Sequence, residues 1–128
     1  MPLKPTVEIF YEDNINYIIH ECLTYPQCEI IIAVKNEKIK DLAQIFFKNI
    51  DPKVLAQRPR ISTFRAEAIF TNQARLIIIG NNGQSRGYKA SKIYCSPDTS
   101  VETYFYILKP QLLDYQNFLE NNNICIKQ

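Results

Sequence analysis

The sequence predicts an α/β fold: a single three-layer-like domain spanning residues 1–128, with a mixed, largely parallel sheet, a β-hairpin and flanking helices. Three observations lead there. Strand-like and helix-like segments alternate from residue 6 to residue 50. The run EIIIAV at 29–34 is apolar almost throughout, as an interior strand covered on both faces must be. Two further runs, 67–71 and 74–79, are separated only by Asn72-Gln73, the spacing of a tight antiparallel hairpin.

The elements follow in order. Residues 6–11, TVEIFY, alternate and are rich in β-branched and aromatic types, so they read as the first strand. Asp13 or Asn14 then caps a helix whose Ile15, Ile18, Ile19, Cys22 and Leu23 recur at helical spacing, and Tyr25-Pro26 ends it. His20 falls off that stripe and reads as a surface residue. After strand 29–34, Asn36 is the expected cap of a second helix with Ile39, Leu42, Ala43, Phe46, Phe47 and Ile50 as its buried stripe. The connection between the first two strands is long enough for a parallel crossover.

Asp51-Pro52 places proline at a first helical position, which predicts a short turn of helix over 53–57 that Arg58-Pro59-Arg60 breaks. A short strand at 61–64 precedes the hairpin. Beyond residue 91, a strand is expected over 92–95, a helix over 100–108 capped from the turn Ser96-Pro97-Asp98-Thr99, a last helix over 110–121 and an edge strand over 124–127.

Composition bounds the function. A hydrophobic fraction of 46% argues for a folded core rather than disorder. No apolar run approaches the ~20 residues of a membrane-spanning helix, and the N-terminus MPLKPTVEIF lacks the pattern of a signal peptide. A soluble, intracellular protein with no membrane partner is therefore expected. Cys22, Cys28, Cys95 and Cys125 show no C-x-x-C pairing, and with one histidine no metal site or cofactor is expected.

Net charge is only +2, but residues 1–34 carry −4, residues 35–92 carry +8 and residues 93–128 carry −2. A central basic segment between acidic flanks suggests an anionic partner, nucleic acid (DNA or RNA) or a phosphate-bearing ligand. The alternative is that folding interleaves the segments and cancels the field.

All three glycines, Gly80, Gly83 and Gly87, fall in the loop 80–92 between two strands. Their backbone freedom allows N–H groups to converge on an anion, and Arg86, Lys89 and Lys92 add charge. The candidate site is Gly80, Asn82, Gly83, Ser85, Arg86, Gly87, Tyr88, Lys89 and Lys92, with Arg58, Arg60, Arg65 and Arg75 in support. Arginine forks bind phosphate bidentately, and Tyr88 is placed to stack on a base. A plain glycine-rich connection with solvated basic residues is the competing reading.

The stretch AEAIFTNQARLIIIG-NNGQSRGYKAS-KIYC, with Asn72, Arg75, Arg86 and Gly87, resembles the ATPase domain of phage large terminase subunits over residues 6–100. That resemblance implies a viral protein, in the host cytoplasm or the virion. The departures are as informative. The family's phosphate loop G-x-x-x-x-G-K-[ST] belongs where this chain has Tyr11-Glu12-Asp13-Asn14, and the paired acids expected after Cys95 are replaced by Ser96-Pro97-Asp98. A relative lacking both would keep the scaffold and lose ATPase activity.

Other chemistry finds little support. A catalytic triad would rest on His20 alone, and nothing in the spacing of Glu8, Glu12, Asp13, Glu29 and Asp98 singles out a metal-dependent nuclease. No catalytic residues are assigned. Two functional classes stay open: a non-catalytic nucleic-acid or phosphate-ligand binding module, and a viral structural or host-factor-inhibiting protein that acts through protein–protein contacts involving Phe105, Tyr106 or Tyr115.

Overall fold

A computed structural model describes residues 3–82 and 89–113. Six strands, β1 (Val7–Ile9), β2 (Glu29–Val34), β3 (Arg60–Ile61), β4 (Arg65–Ile69), β5 (Arg75–Gly80) and β6 (Lys92–Cys95), form one mixed sheet in the order β1-β6-β2-β5-β4-β3. β1, β6, β2 and β5 run parallel, and β4 and β3 continue the sheet antiparallel. The expected α/β class and mixed, largely parallel sheet are what the structure shows.

Helices α1 (Ile15–Thr24) and α2 (Ile39–Lys48) pack on one face. Their Ile15, Ile18, Cys22, Ile39, Leu42 and Phe46 meet Ile30, Ile32 and Val34 of β2 and Leu76 and Ile78 of β5. Ile39 and Phe46 are fully covered, and burial of each contributes about 1.5–3 kcal/mol. The alternate residues of the same strands, Ile31, Ala33, Ile77 and Ile79, face the other way, with Ile93, Cys95 and Leu108. That second core is closed by a helical segment that begins as α3 (Val101–Thr103), widens into a π turn over Tyr104–Leu108 and tightens into a 3-10 turn over Lys109–Gln111. Because β2 is covered on both sides, its near-continuous apolar run needs no polar face.

Local signals explain several boundaries. Asp51 Oδ1 accepts from the Lys53 amide at 3.0 Å and Pro52 opens the 3-10 turn Pro52–Val54, shorter than the helical turn expected over 53–57. Ser100 Oγ accepts from the Thr103 amide at 3.1 Å, a true cap. Asn36 does not cap α2: it lies inside a 3-10 turn, Asn36–Lys38, that feeds the helix. Asn14 directly precedes α1 without a side-chain cap bond, its amide group reaching instead to the Ile9 carbonyl at 3.5 Å.

The hairpin turn uses Gln73 at φ 70°, and Asn72 Oδ1 accepts from the Ala74 amide at 3.0 Å. The strand expected at 61–64 is the shorter Arg60–Ile61. Leu112 is extended and bridges Ala90, so the last helix expected over 110–121 does not continue through it. The remainder of that helix and the strand expected at 124–127 lie outside the described residues. Among the described residues, no helix is long and apolar enough to cross a membrane.

Candidate functional site

The loop between β5 and β6 is where the sequence places its binding site, and parallel pairing decides where its two ends lie. Gly80 pairs with Val34 at the carboxyl end of β2, whereas Lys92 pairs with Ile30 near the amino end. Four residues of strand, about 13 Å, separate those levels. Gly80 and Lys92 therefore lie at different levels of the sheet and do not share one anion cradle.

Each end has its own local task. Gly80 is buried, and a Cβ there would overlap Asn36 Oδ1 and lie 3.0 Å from Asn36 Cγ. The close approach of the Asn36 side chain leaves little room for a Cβ at this position. Asn82 and Lys89 are exposed at the two ends of the loop. Gly83, Ser85, Arg86, Gly87 and Tyr88 lie outside the described residues.

Lys92 turns inward, which corrects its assignment to a phosphate site. Its Nζ lies 2.9 Å from Glu21 Oε2 and 3.4 Å from Glu8 Oε2, with a side chain 8% exposed. Tyr94, two residues on and on the same face of β6, donates its hydroxyl to Glu21 Oε1. Lys92 also stands 5.5 Å above the Tyr17 ring and 5.0 Å from that of Tyr94. Burial pulls the lysine pKa down, but the Glu21 hydrogen bond and charge, with Glu8 behind them, reverse that and leave it raised. The ammonium is held charged and already satisfied. The Tyr94 hydroxyl is pushed far up by burial and by Glu21, so it is no acid at physiological pH.

The supporting arginines divide. Arg58 lies beside Phe47, Ile50 and Leu55, away from the others. Arg60, Arg65 and Arg75 share the opposite sheet face. Arg60 is the register partner of Glu67; Arg65 Nη2 and Arg75 Nη2 reach Glu67 Oε2 at 2.9 and 3.1 Å. Two arginines from adjacent strands therefore hold one carboxylate that is only 10% exposed, with Arg60 opposite it in the register, while Arg65 and Arg75 keep nearly half their surface open. Glu29, the register partner of Arg75, adds a second acid whose pKa is raised by burial, with Arg75 opposing the shift. Phe64, in the turn between β3 and β4, is 63% exposed. Arg60, Ile61, Ser62, Arg65 and Glu67 line a hollow of about 190 Å³.

Glu67 escaped the sequence reading. Its signal was available, since Arg65 and Glu67 two apart in a strand share a face, but Arg60 and Arg75 join them only through the pairing of β3, β4 and β5.

At the carboxyl edge, Asn81 Nδ2 donates to Ser96 Oγ at 3.0 Å and Thr99 Oγ1 at 3.2 Å, Ser96 Oγ donates to Asp98, and Lys35 pairs with Asp98 at 3.3 Å. The Ser96 hydrogen bond is the main influence holding the Asp98 carboxyl below its usual range, with Lys35 assisting. Such a carboxylate is a poor base, and Ser96 has no histidine beside it. His20, exposed on α1, meets Thr24 of its own helix at 3.3 Å. Cys22, Cys28 and Cys95 are buried free thiols.

No family model, curated protein or solved structure matches this chain.

Proposed function

We propose that the chain is a non-catalytic binding module for nucleic acid or another phosphate-bearing ligand, with the arginine-lined face of β3, β4 and β5 as its contact surface. The observation that carries this reading is that Arg65 and Arg75 both reach Glu67, with Arg60 opposite Glu67 in the strand register and lining the same hollow. A guanidinium has five N–H donors in a planar fork, and Arg75 meets Glu67 through one terminal nitrogen. The carboxylate thus orients the Arg75 fork through a single nitrogen, which lowers the ordering cost of gripping a phosphate. Phe64 offers a flat apolar ring at the edge for a base to stack on. Asn82 and Lys89 mark where the glycine loop leaves and rejoins the sheet, and its Arg86 and Tyr88 are proposed as further contacts.

The absence of ATPase activity belongs to the same proposal. The turn between β1 and α1 is Phe10 to Asn14, glycine-free and carrying Glu12 and Asp13, and Asp98 is already engaged by Ser96 and Lys35. The viral reading, with a place in the host cytoplasm or virion, rests on the terminase likeness and is proposed with it. A second reading, a protein-binding module, is favoured by one observation: Val101, Phe105 and Tyr106 of the segment that closes the second core are 69, 51 and 76% exposed.

Fluorescence anisotropy with labelled single-stranded and duplex DNA across a salt series tests the first reading. Binding should weaken steeply with salt, by roughly 0.9 in log–log slope per duplex phosphate neutralised, and Arg60→Ala and Arg75→Ala should each make the slope shallower. Salt-independent binding, or none at low salt, would sink it and turn the search to a protein partner on the Val101, Phe105 and Tyr106 surface.

A further inference from the structure

A second hollow lies on the opposite face of the sheet, at the carboxyl ends of β1, β2 and β6. It is a cleft of about 450 Å³, within the range of small-molecule sites. Its roof is one face of the second helix. Lys38, Asp41, Leu42 and Ile45 recur at i, i+3, i+4 and i+7, so they line up along the cleft. Phe10, Val34 and Pro97, from the ends of β1 and β2 and the turn after β6, supply its apolar wall. At the mouth, Tyr11 is 58% and Ile45 42% exposed, apolar surface that the fold leaves uncovered.

The charges set the ligand class. Glu12 and Asp41 contribute two carboxylates against the single ammonium of Lys38. None of the three joins an ion pair among the described residues, whereas neighbouring Lys35 and Asp98 neutralise each other. A phosphate would meet two like charges here. A hard metal ion needs about six oxygen ligands, and no cluster of three His, Cys, Asp or Glu side chains suited to a metal occurs among the described residues. What the cleft complements is a compact organic cation, an apolar or aromatic body carrying a protonated amine.

We propose that this cleft binds a small aromatic or aliphatic amine, with the ring against Phe10, Leu42, Ile45 and Pro97 and the ammonium directed to Glu12 and Asp41. This site is separate from the arginine face and does not depend on it. The test is a titration of the ¹⁵N-labelled full chain with 2-phenylethylamine, with uncharged 2-phenylethanol and anionic 3-phenylpropionate as matched probes, read by amide chemical shifts. The amine should give saturable shifts centred on Tyr11, Glu12 and residues 38–45 and bind most tightly of the three. Glu12→Gln and Asp41→Asn should each weaken the amine by about two- to fivefold, the range for an exposed ion pair, and leave the alcohol unchanged. Ile45→Ser should weaken amine and alcohol alike. Equal binding of amine and alcohol, tighter binding of the anion, shifts centred elsewhere, or no saturable shift at millimolar amine would each overturn the proposal. All three substituted side chains are exposed, so the variants should fold, and an unchanged spectrum away from the cleft verifies it.

Discussion

Glu21 of α1 and Lys92 of β6, 71 positions apart in the chain, meet at 2.9 Å with side chains only 6 and 8% exposed. This contact ties the helix to the strand that separates β1 from β2. It also removes Lys92 from the pool of surface cations. Taking two charges out of water is costly, and the cost is offset only because the Tyr94 hydroxyl and Glu8 complete the group.

Removing one partner of such a pair leaves the other charge buried and uncompensated. Lys92→Met is therefore expected to lower stability by about 3–5 kcal/mol in urea denaturation. Adding Glu21→Gln to it should recover part of that loss. A double variant whose cost equals the sum of the two singles would show that the contact carries no coupling.

Stability should depend on pH through two groups, with the same sign. The raised pKa of Lys92 means that the folded chain holds this proton longer than the unfolded chain. Its contribution is fully present below the ordinary lysine value of about 10.4 and is lost as pH rises through the raised one. Glu29 is also raised, chiefly by burial, so folding is favoured below the ordinary glutamate value of about 4.3 and loses that advantage as pH climbs through the raised pKa. Thermal melts across pH should show Glu29→Gln more stable than the parent at neutral pH and matching it in acid. An unchanged difference across the range would contradict the assignment.

Gly80→Ala should destabilise by about 1 kcal/mol or less, because the new methyl displaces the end of the half-buried Asn36 side chain rather than backbone. In an Asn36→Ala background the same change should cost much less, since the obstructing atoms are gone. A double-mutant cycle with no coupling would mean that Gly80 is needed for some other reason.

The hairpin turn gives a fourth test. Gln73 holds φ 70°, and the neighbouring Asn72 Nδ2 donates to the Cys22 carbonyl at 2.9 Å, tying the turn to α1. Left-handed backbone costs a side-chain-bearing residue about 1–2 kcal/mol, part of which glycine's greater unfolded-state freedom offsets. Gln73→Gly should raise the melting temperature slightly and Gln73→Val should lower it.

Local pattern made much of the fold legible. The alternation of TVEIFY, the continuous apolar run 29–34, the helical stripe from Ile39 to Phe46 and the two strands flanking Asn72-Gln73 are short-range signals, read from periodicity, from apolar continuity and from turn spacing. The cap at Asp51 was readable because its side chain bonds a backbone amide two residues on, whereas the cap expected from the turn Ser96-Pro97-Asp98-Thr99 is supplied by Ser100 instead.

What the sequence determined by itself was therefore the class and the kinds of element, together with a bias of basic residues toward the middle of the chain. Strand order, and every consequence of it, belonged to the tertiary structure. Insertion of β6 between β1 and β2 turned Lys92 inward and set Gly80 and Lys92 at different levels of the sheet, while the pairing of β3, β4 and β5 brought Arg65 and Arg75 onto Glu67 with Arg60 opposite it in the register. The physical reason is range. Periodicity reports which face of its own element a residue occupies, but which charges meet across elements is decided by the pairing that buries the most apolar surface, and that pairing joins residues distant along the chain.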